Sequence, residues 1–344
     1  MSESRRTRRW FGFAAAAAGL ALAAGGVAAQ GPSLPNGAIA IAKQGSFEAG
    51  GHILGDAAKS LACDHGHVEY EIPVGAKKTA LFLWHSSSAA VWQRRWDGGE
   101  GYQTKLLRAG YPTYVWDGPR VGRANWGCED YTYHAQAGRD QGNFGAWRFG
   151  PAYPNFYPGE QFPVNDPDAL EQANRARYDE FDSVANAQLQ SDAAAKAIER
   201  IGPTVALTNS AGGMRALYTV LKTDKLKGIV AYENPGYVFP DTIEPKLKEG
   251  LFGPIYVPES EFMKFTKIPI QLVWGDHLED SKVWVSSYAQ AELFAKEVNK
   301  RGGHVEMLHL TDAGLHGNSH IPFADMNNDQ VAKLLFQWLK KNNF

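Results

Sequence analysis

Thr79-Ala80-Leu81-Phe82-Leu83-Trp84 is apolar at almost every position, and no other stretch of the 344-residue chain limits the fold as much. A strand that alternates can leave one face in water, but a continuously apolar one needs cover on both. Further strand-like runs lie at residues 111–116, 205–207, 228–233, 268–276 and 304–310. Helix-compatible segments separate them at 103–109, 168–201, 214–221, 286–301 and 328–341. This alternation predicts an α/β fold, a mostly parallel sheet with helices on both faces. Before the apolar run, residues 67–72 alternate like a strand with one wet face. Residues 38–42 and 50–55 read as a short hairpin region with glycine turns.

The first thirty residues have another character. Arg5, Arg6, Arg8 and Arg9 precede an apolar, alanine-rich run that ends in Val27-Ala28-Ala29. A basic start, an apolar middle and small residues at the end mark an export signal over residues 1–29, with a mature chain beginning near Gln30. Thr7-Arg8-Arg9-Trp10-Phe11 fits the twin-arginine type, a general secretory signal being the alternative. The expected location is the periplasm or the medium. The formal net charge is −2, or −5 once the four Arg and one Glu of residues 1–29 are removed, and it points to neither nucleic acid nor a membrane surface as partner. A small-molecule substrate is expected, and a homodimer stays open. Cys63 and Cys128 are the two cysteines; in an oxidising compartment such a pair is expected as a disulfide, and two cysteines alone cannot make a structural zinc site.

Residues 30–344 read as one domain, with 118–200 as a lid-like insertion. From Gly118 to about Asp166 the texture turns to Gly, Pro, Asn and aromatics, as in Tyr153-Pro154-Asn155-Phe156-Tyr157-Pro158. A stretch this long without periodicity, yet this aromatic, predicts a packed excursion over a site.

In open α/β sheets, reactive groups gather beyond the carboxyl ends of the strands. His85, Asp117, Ser210, Glu233, Asp276 and His316 all stand there. Ser210 lies in Thr208-Asn209-Ser210-Ala211-Gly212-Gly213, where a strand turns sharply into a helix. That order suits a nucleophile elbow, which lifts a serine hydroxyl off a strained turn. An ordinary serine helix cap would look similar. A serine nucleophile needs a base to take its proton and an acid to orient that base. His316, in a glycine-flanked loop before the last helix, is the preferred base, and His320 is its nearest competitor. Glu233, closing an apolar strand and followed by Asn234-Pro235-Gly236, is the preferred acid, and Asp276 the second choice. The backbone N–H of Ala211 and one from Ser86 or Ser87 are expected to form the oxyanion hole. His85, Trp126, Tyr237 and His320 are the expected pocket residues, and Asp117 an anchor for Arg120 or Arg123.

With these pieces in place, residues 72–344 resemble the α/β-hydrolase superfamily, whose chain order Ser, acid, His is that of Ser210, Glu233 and His316. More narrowly, four segments resemble exported bacterial esterases with the acid after the sixth strand. They are Asn209-Ser210-Ala211-Gly212-Gly213, Val230-Ala231-Tyr232-Glu233-Asn234-Pro235-Gly236, Trp274-Gly275-Asp276-His277 and Leu315-His316-Gly317-Asn318-Ser319-His320. The resemblance implies hydrolysis of carboxylic esters, with Glu233 in the acid's role. An acyl-enzyme on Ser210 is expected, with no metal or organic cofactor; the alternatives are a lactonase, amidase or acyl transferase with the same triad, and a non-catalytic periplasmic binding protein on a hydrolase scaffold.

Overall fold

The computed structural model describes residues 37–130, 134–250 and 252–344. The export signal expected at residues 1–29 lies outside the described residues. The chain separates into Met1–Ala38 and Ile39–Phe344, and the fold that follows is that of the second unit.

Its strands are β1 (Ile41–Asp56), β2 (Lys59–Pro73), β3 (Ala80–Trp84), β4 (Thr113–Asp117), β5 (Thr204–Asn209), β6 (Leu226–Tyr232), β7 (Val238–Pro240), β8 (Ile255–Val257), β9 (Pro269–Trp274) and β10 (His304–His309). Among the described residues one eight-stranded sheet runs β1-β2-β4-β3-β5-β6-β9-β10, and β7 pairs with β8 in a small separate ribbon. From β4 to β10 every pairing is parallel; β1 and β2 are antiparallel additions at one edge. The mostly parallel sheet expected from the sequence is the one observed.

All five residues of β3 are buried. Successive side chains of a strand point to opposite faces, so β3 serves two cores at once. Phe82 and Trp84 join one cluster, and Leu81 and Leu83 the other. The helices are α1 (Ala90–Gln93), α2 (Tyr102–Arg108), α3 (Arg139–Ala146), α4 (Pro167–Arg175), α5 (Val184–Ile201), α6 (Ala211–Val220), α7 (Glu259–Phe262), α8 (Lys282–Lys300) and α9 (Asn328–Lys341). Residues of α5, α6 and α8 fill the Phe82 core, and residues of α2, α3 and α9 the Leu81 core. Among the described residues no helix is long and apolar enough to cross a membrane.

The hairpin at the start departs from expectation. Gly50, Gly51 and Gly55 do not turn the chain but lie within β1, Gly50 opposite His65 and Gly55 opposite Ser60. The turn comes at residues 57–58, where the Asp56 carboxylate accepts hydrogen bonds from the amides of Ala58 and Lys59 at 2.9 and 3.0 Å. β1 is the sheet's edge and largely exposed. Glycines are therefore tolerated where a central strand would exclude them.

The lid-like insertion expected at 118–200 is not one unit. Its last part, α5, packs on α6 and β1 as part of the main body. Cys63 on β2 is bonded to Cys128, as expected. This bridge closes a loop spanning 65 positions, and closing a loop of that size restrains the unfolded chain. The double variant Cys63→Ser/Cys128→Ser is expected to lose about 2–4 kcal/mol of stability in urea titrations.

Candidate active site

Ser210 stands between β5 and α6 with φ 52° and ψ −131°. A non-glycine residue holds a positive φ at a cost of order 1–3 kcal/mol, and keeps it only where the surroundings impose it. Here the Ser210 amide donates to the carbonyl of Tyr232 at 2.9 Å, and glycines follow. A Cβ on Gly212 would lie 2.6 Å from the Trp84 carbonyl oxygen, and one on Gly213 would overlap the side-chain oxygen of Asn234. Two elements thus crowd against the start of α6, and only glycine admits them. The Ser210 hydroxyl makes no capping bond to the helix it precedes, so the ordinary-cap alternative does not describe it. Thr208, bulky for this motif, is fully buried in register between Trp84 and Ala231. Its neighbour on β6 is small, which leaves it room.

The histidine beside Glu233 is His320. Its Nδ1 donates to Glu233 Oε2 at 2.6 Å, both side chains being almost completely buried. A carboxylate only accepts, so the shared proton sits on Nδ1 and Nε2 keeps its lone pair. The ring lies 4.3 Å, centre to centre, from that of Trp284. The His320 amide donates to the Trp147 carbonyl at 2.9 Å, and its carbonyl accepts from the Asn209 side chain at 3.2 Å. Asn209 is the residue before Ser210, so the elbow itself helps to seat the histidine.

His316, the preferred base in the sequence, is 70% exposed at its side chain and bonds neither Glu233 nor the pocket. Its Nδ1 lies 3.8 Å from Asp276. Asp276 holds the loop backbone instead, accepting from the amides of His277 at 2.8 Å and Gly317 at 2.9 Å. The structure therefore pairs Glu233 with His320 and Asp276 with His316. Beneath the loop, Asp325 accepts from the Ser319 amide and hydroxyl, both at 2.8 Å, and from Asn318 at 3.1 Å. These bonds fix which of the two histidines turns inward.

Glu233 has a left-handed backbone, φ 57°, just past the end of β6. It has a partner that the sequence did not suggest. Arg148, 1% exposed, reaches both carboxylate oxygens in a bidentate pair, one bond at 2.6 Å, and its Nε donates to the Asp276 carbonyl at 2.7 Å. The Gly275 amide adds a bond to Oε1 at 2.7 Å. Burial alone would raise the Glu233 pKa, but Arg148 and His320 outweigh it and bring it down to about 2. His320 is pushed below its usual value, chiefly by burial, against the pull of Glu233. A neutral imidazole beside a permanent carboxylate is the state a general base needs. Arg148 lies in the aperiodic aromatic stretch, where nothing in the local pattern sets it apart.

Ser210 and His320 line one pocket of about 350 Å³ with Ser86, Ser87 and Asn209. Its aromatic walls are Trp147, Tyr178, Phe252 and Trp284, and residues between 139 and 182 supply about half of it. Charged groups, Arg139, Arg177, Glu180 and Asp182, also reach it. Three expected pocket residues lie elsewhere. His85 is buried, its Nε2 2.8 Å from Asp117, whose other oxygen accepts from the Arg123 amide and guanidinium. Trp126 is 59% exposed. Tyr237 is fully buried against Phe294, 5.5 Å between ring centres.

No protein-family profile and no curated protein matches this sequence. Among solved structures, the chain is similar to a novel bacterial esterase at 25% identity and a TM-score of 0.75, over 91% of this chain and 100% of that one. It is also similar to a dienelactone hydrolase from Anabaena variabilis (11% identity, TM-score 0.42, 87% of this chain and 98% of that one). A third is a Pyrococcus furiosus esterase (14% identity, TM-score 0.45, 88% and 91%).

Proposed function

We propose that this chain, a member of the α/β-hydrolase superfamily, is an exported serine esterase that cleaves a carboxylic ester through an acyl-enzyme. One observation carries the reading: Glu233 holds the Nδ1 proton of His320, which leaves Nε2 its lone pair, and His320 and Ser210 line the same pocket. The likeness to a bacterial esterase along the whole of that chain supports the ester as substrate. The Cys63–Cys128 bond supports an oxidising compartment.

In the proposed mechanism His320 Nε2 takes the Ser210 proton as Oγ attacks the ester carbon. The negative oxygen of the tetrahedral intermediate accepts hydrogen bonds from the Ala211 amide and from that of Ser86 or Ser87. The C–O bond to the alcohol breaks, and the alcohol leaves with the proton from His320. Water then attacks the acyl-Ser210 ester, giving up its proton to His320, and the returning proton frees Ser210 as the carboxylic acid departs. Glu233 stays ionised throughout and steadies the imidazolium. Side chains and backbone amides of the chain supply every step, so the reaction as written calls for no metal or organic cofactor.

A panel of p-nitrophenyl esters, lactones and anilides tests the reading. A fast burst of nitrophenol ahead of steady turnover, with anilides inert, is expected of an esterase with an acyl-enzyme. Turnover of lactones or anilides alone would redirect the substrate class, and no turnover of any would sink the reading. The pH profile follows from His320. Because its pKa is lowered from the ordinary 6.5, kcat/KM is expected to rise with pH through an inflection below 6.5 and to be level at neutral pH. An acid limb centred above 6.5 would mean that another group is the base.

A further inference from the structure

The oxyanion hole as proposed draws its donors from two separate elements, the start of α6 and the loop at residues 85–88. A transition-state hydrogen bond depends on sub-ångström placement, so something must hold these two elements in register. The three serines of the loop are each bonded to one short segment between α4 and α5. The Ser86 hydroxyl donates to Glu180 Oε2 at 3.2 Å, the Ser87 carbonyl accepts from the Tyr178 amide at 2.8 Å, and the Ser88 hydroxyl donates to the Ala176 carbonyl at 2.7 Å. Glu180 is in turn gripped by the fork of Arg215 at 2.9 and 3.2 Å. Arg215 is buried, sits on α6 one turn and a half beyond Ser210, and also reaches Asp182 at 3.2 Å.

We infer that Glu180 is a positioning residue for ester hydrolysis: through Ser86 and Arg215 it ties the oxyanion loop to the nucleophile helix. The inference rests on the esterase reading. Its geometry is a continuous path, α6 to Arg215 to Glu180 to Ser86, that fixes the spacing of the two amide donors. Tyr178, Glu180 and Asp182 also line the pocket, so the segment that bounds the substrate is the one that sets the hole. A bond of this kind acts on the charge that develops in the transition state and leaves ground-state binding nearly alone.

Ser86→Ala is the cleanest probe, since it removes one hydroxyl and leaves every buried charge paired. Steady-state hydrolysis of a p-nitrophenyl ester is expected to show kcat lowered about tenfold with KM within about twofold. Glu180→Gln is expected to do the same, and the double variant to be no worse than the poorer single, because both break one link. Wild-type kcat in Ser86→Ala would overturn the inference, as would single effects that multiply in the double variant or a loss confined to KM. Should Glu180→Gln fail to fold, Ser86→Ala decides alone. Absence of turnover in the wild-type enzyme is a different result, and it would strike the esterase reading itself.

Discussion

His320→Gln is expected to lower ester turnover by about 10⁴-fold or more, while His316→Gln leaves it within about twofold. The two histidines are four positions apart in one loop, and each faces a carboxylate. Glu233 is buried and holds His320 at 2.6 Å; Asp276 lies 3.8 Å from an exposed His316. Exposure and distance both weaken the second pair. An exposed imidazole exchanges its hydrogen bonds with water and keeps no fixed tautomer, whereas a buried one pinned by Nδ1 presents the same nitrogen at every encounter. Steady-state kinetics of the two variants on one ester gives the comparison. Loss of activity in His316→Gln with His320→Gln unaffected would reverse the assignment.

Arg148→Met is expected to lose about 3–5 kcal/mol of stability and about 10²-fold in kcat. Methionine fills much of the volume but leaves Glu233 as a buried carboxylate without its bidentate partner. Burial, the largest influence on that carboxyl, then acts with less opposition and its pKa rises. The sign follows. In the wild-type protein the folded value of about 2 is depressed below the ordinary 4.5. The stabilisation from Glu233 is therefore complete above pH 4.5 and lost only as pH falls towards 2. In the variant that loss moves to higher pH, and activity fails with it, since a protonated Glu233 no longer steadies the imidazolium. Urea titrations at pH 4 and pH 7, with the pH profile of kcat/KM, check both halves. A variant as stable as wild type at both pH values would show that Arg148 is not the counter-charge of Glu233.

Residues packed on both faces of the sheet, such as Leu81 to Trp84, announce themselves by composition, because burial on two sides leaves no place for a polar side chain. The strands and helices around Ser210 were legible for that reason. The elbow was legible in outline, since Gly212 and Gly213 mark a close approach, although what approaches, Trp84 and Asn234, is known only in three dimensions. β1 is hard to read in the sequence because an exposed edge strand carries no alternation, and its glycines look like turns. His320 did carry a signal: Ile321, Phe323 and Ala324 after it are apolar and buried, while His316 is flanked by glycines. A loop held on its core side should be expected to turn its neighbouring histidine inward. Arg148 had no such mark. Its role comes from a charge 85 positions away, and a contact at that distance leaves no periodic trace.

We propose that Ser210 is a nucleophile activated by His320, whose imidazolium Glu233 steadies. The most direct test is the rate and site of labelling by a fluorophosphonate, with the adduct mapped by peptide mass spectrometry in wild type and in Glu233→Gln. The expected result is a single adduct on Ser210, formed more slowly in the variant by about 10²-fold or more. A folded wild-type protein that takes no label, a label on another residue, or an unchanged rate in Glu233→Gln would contradict the account.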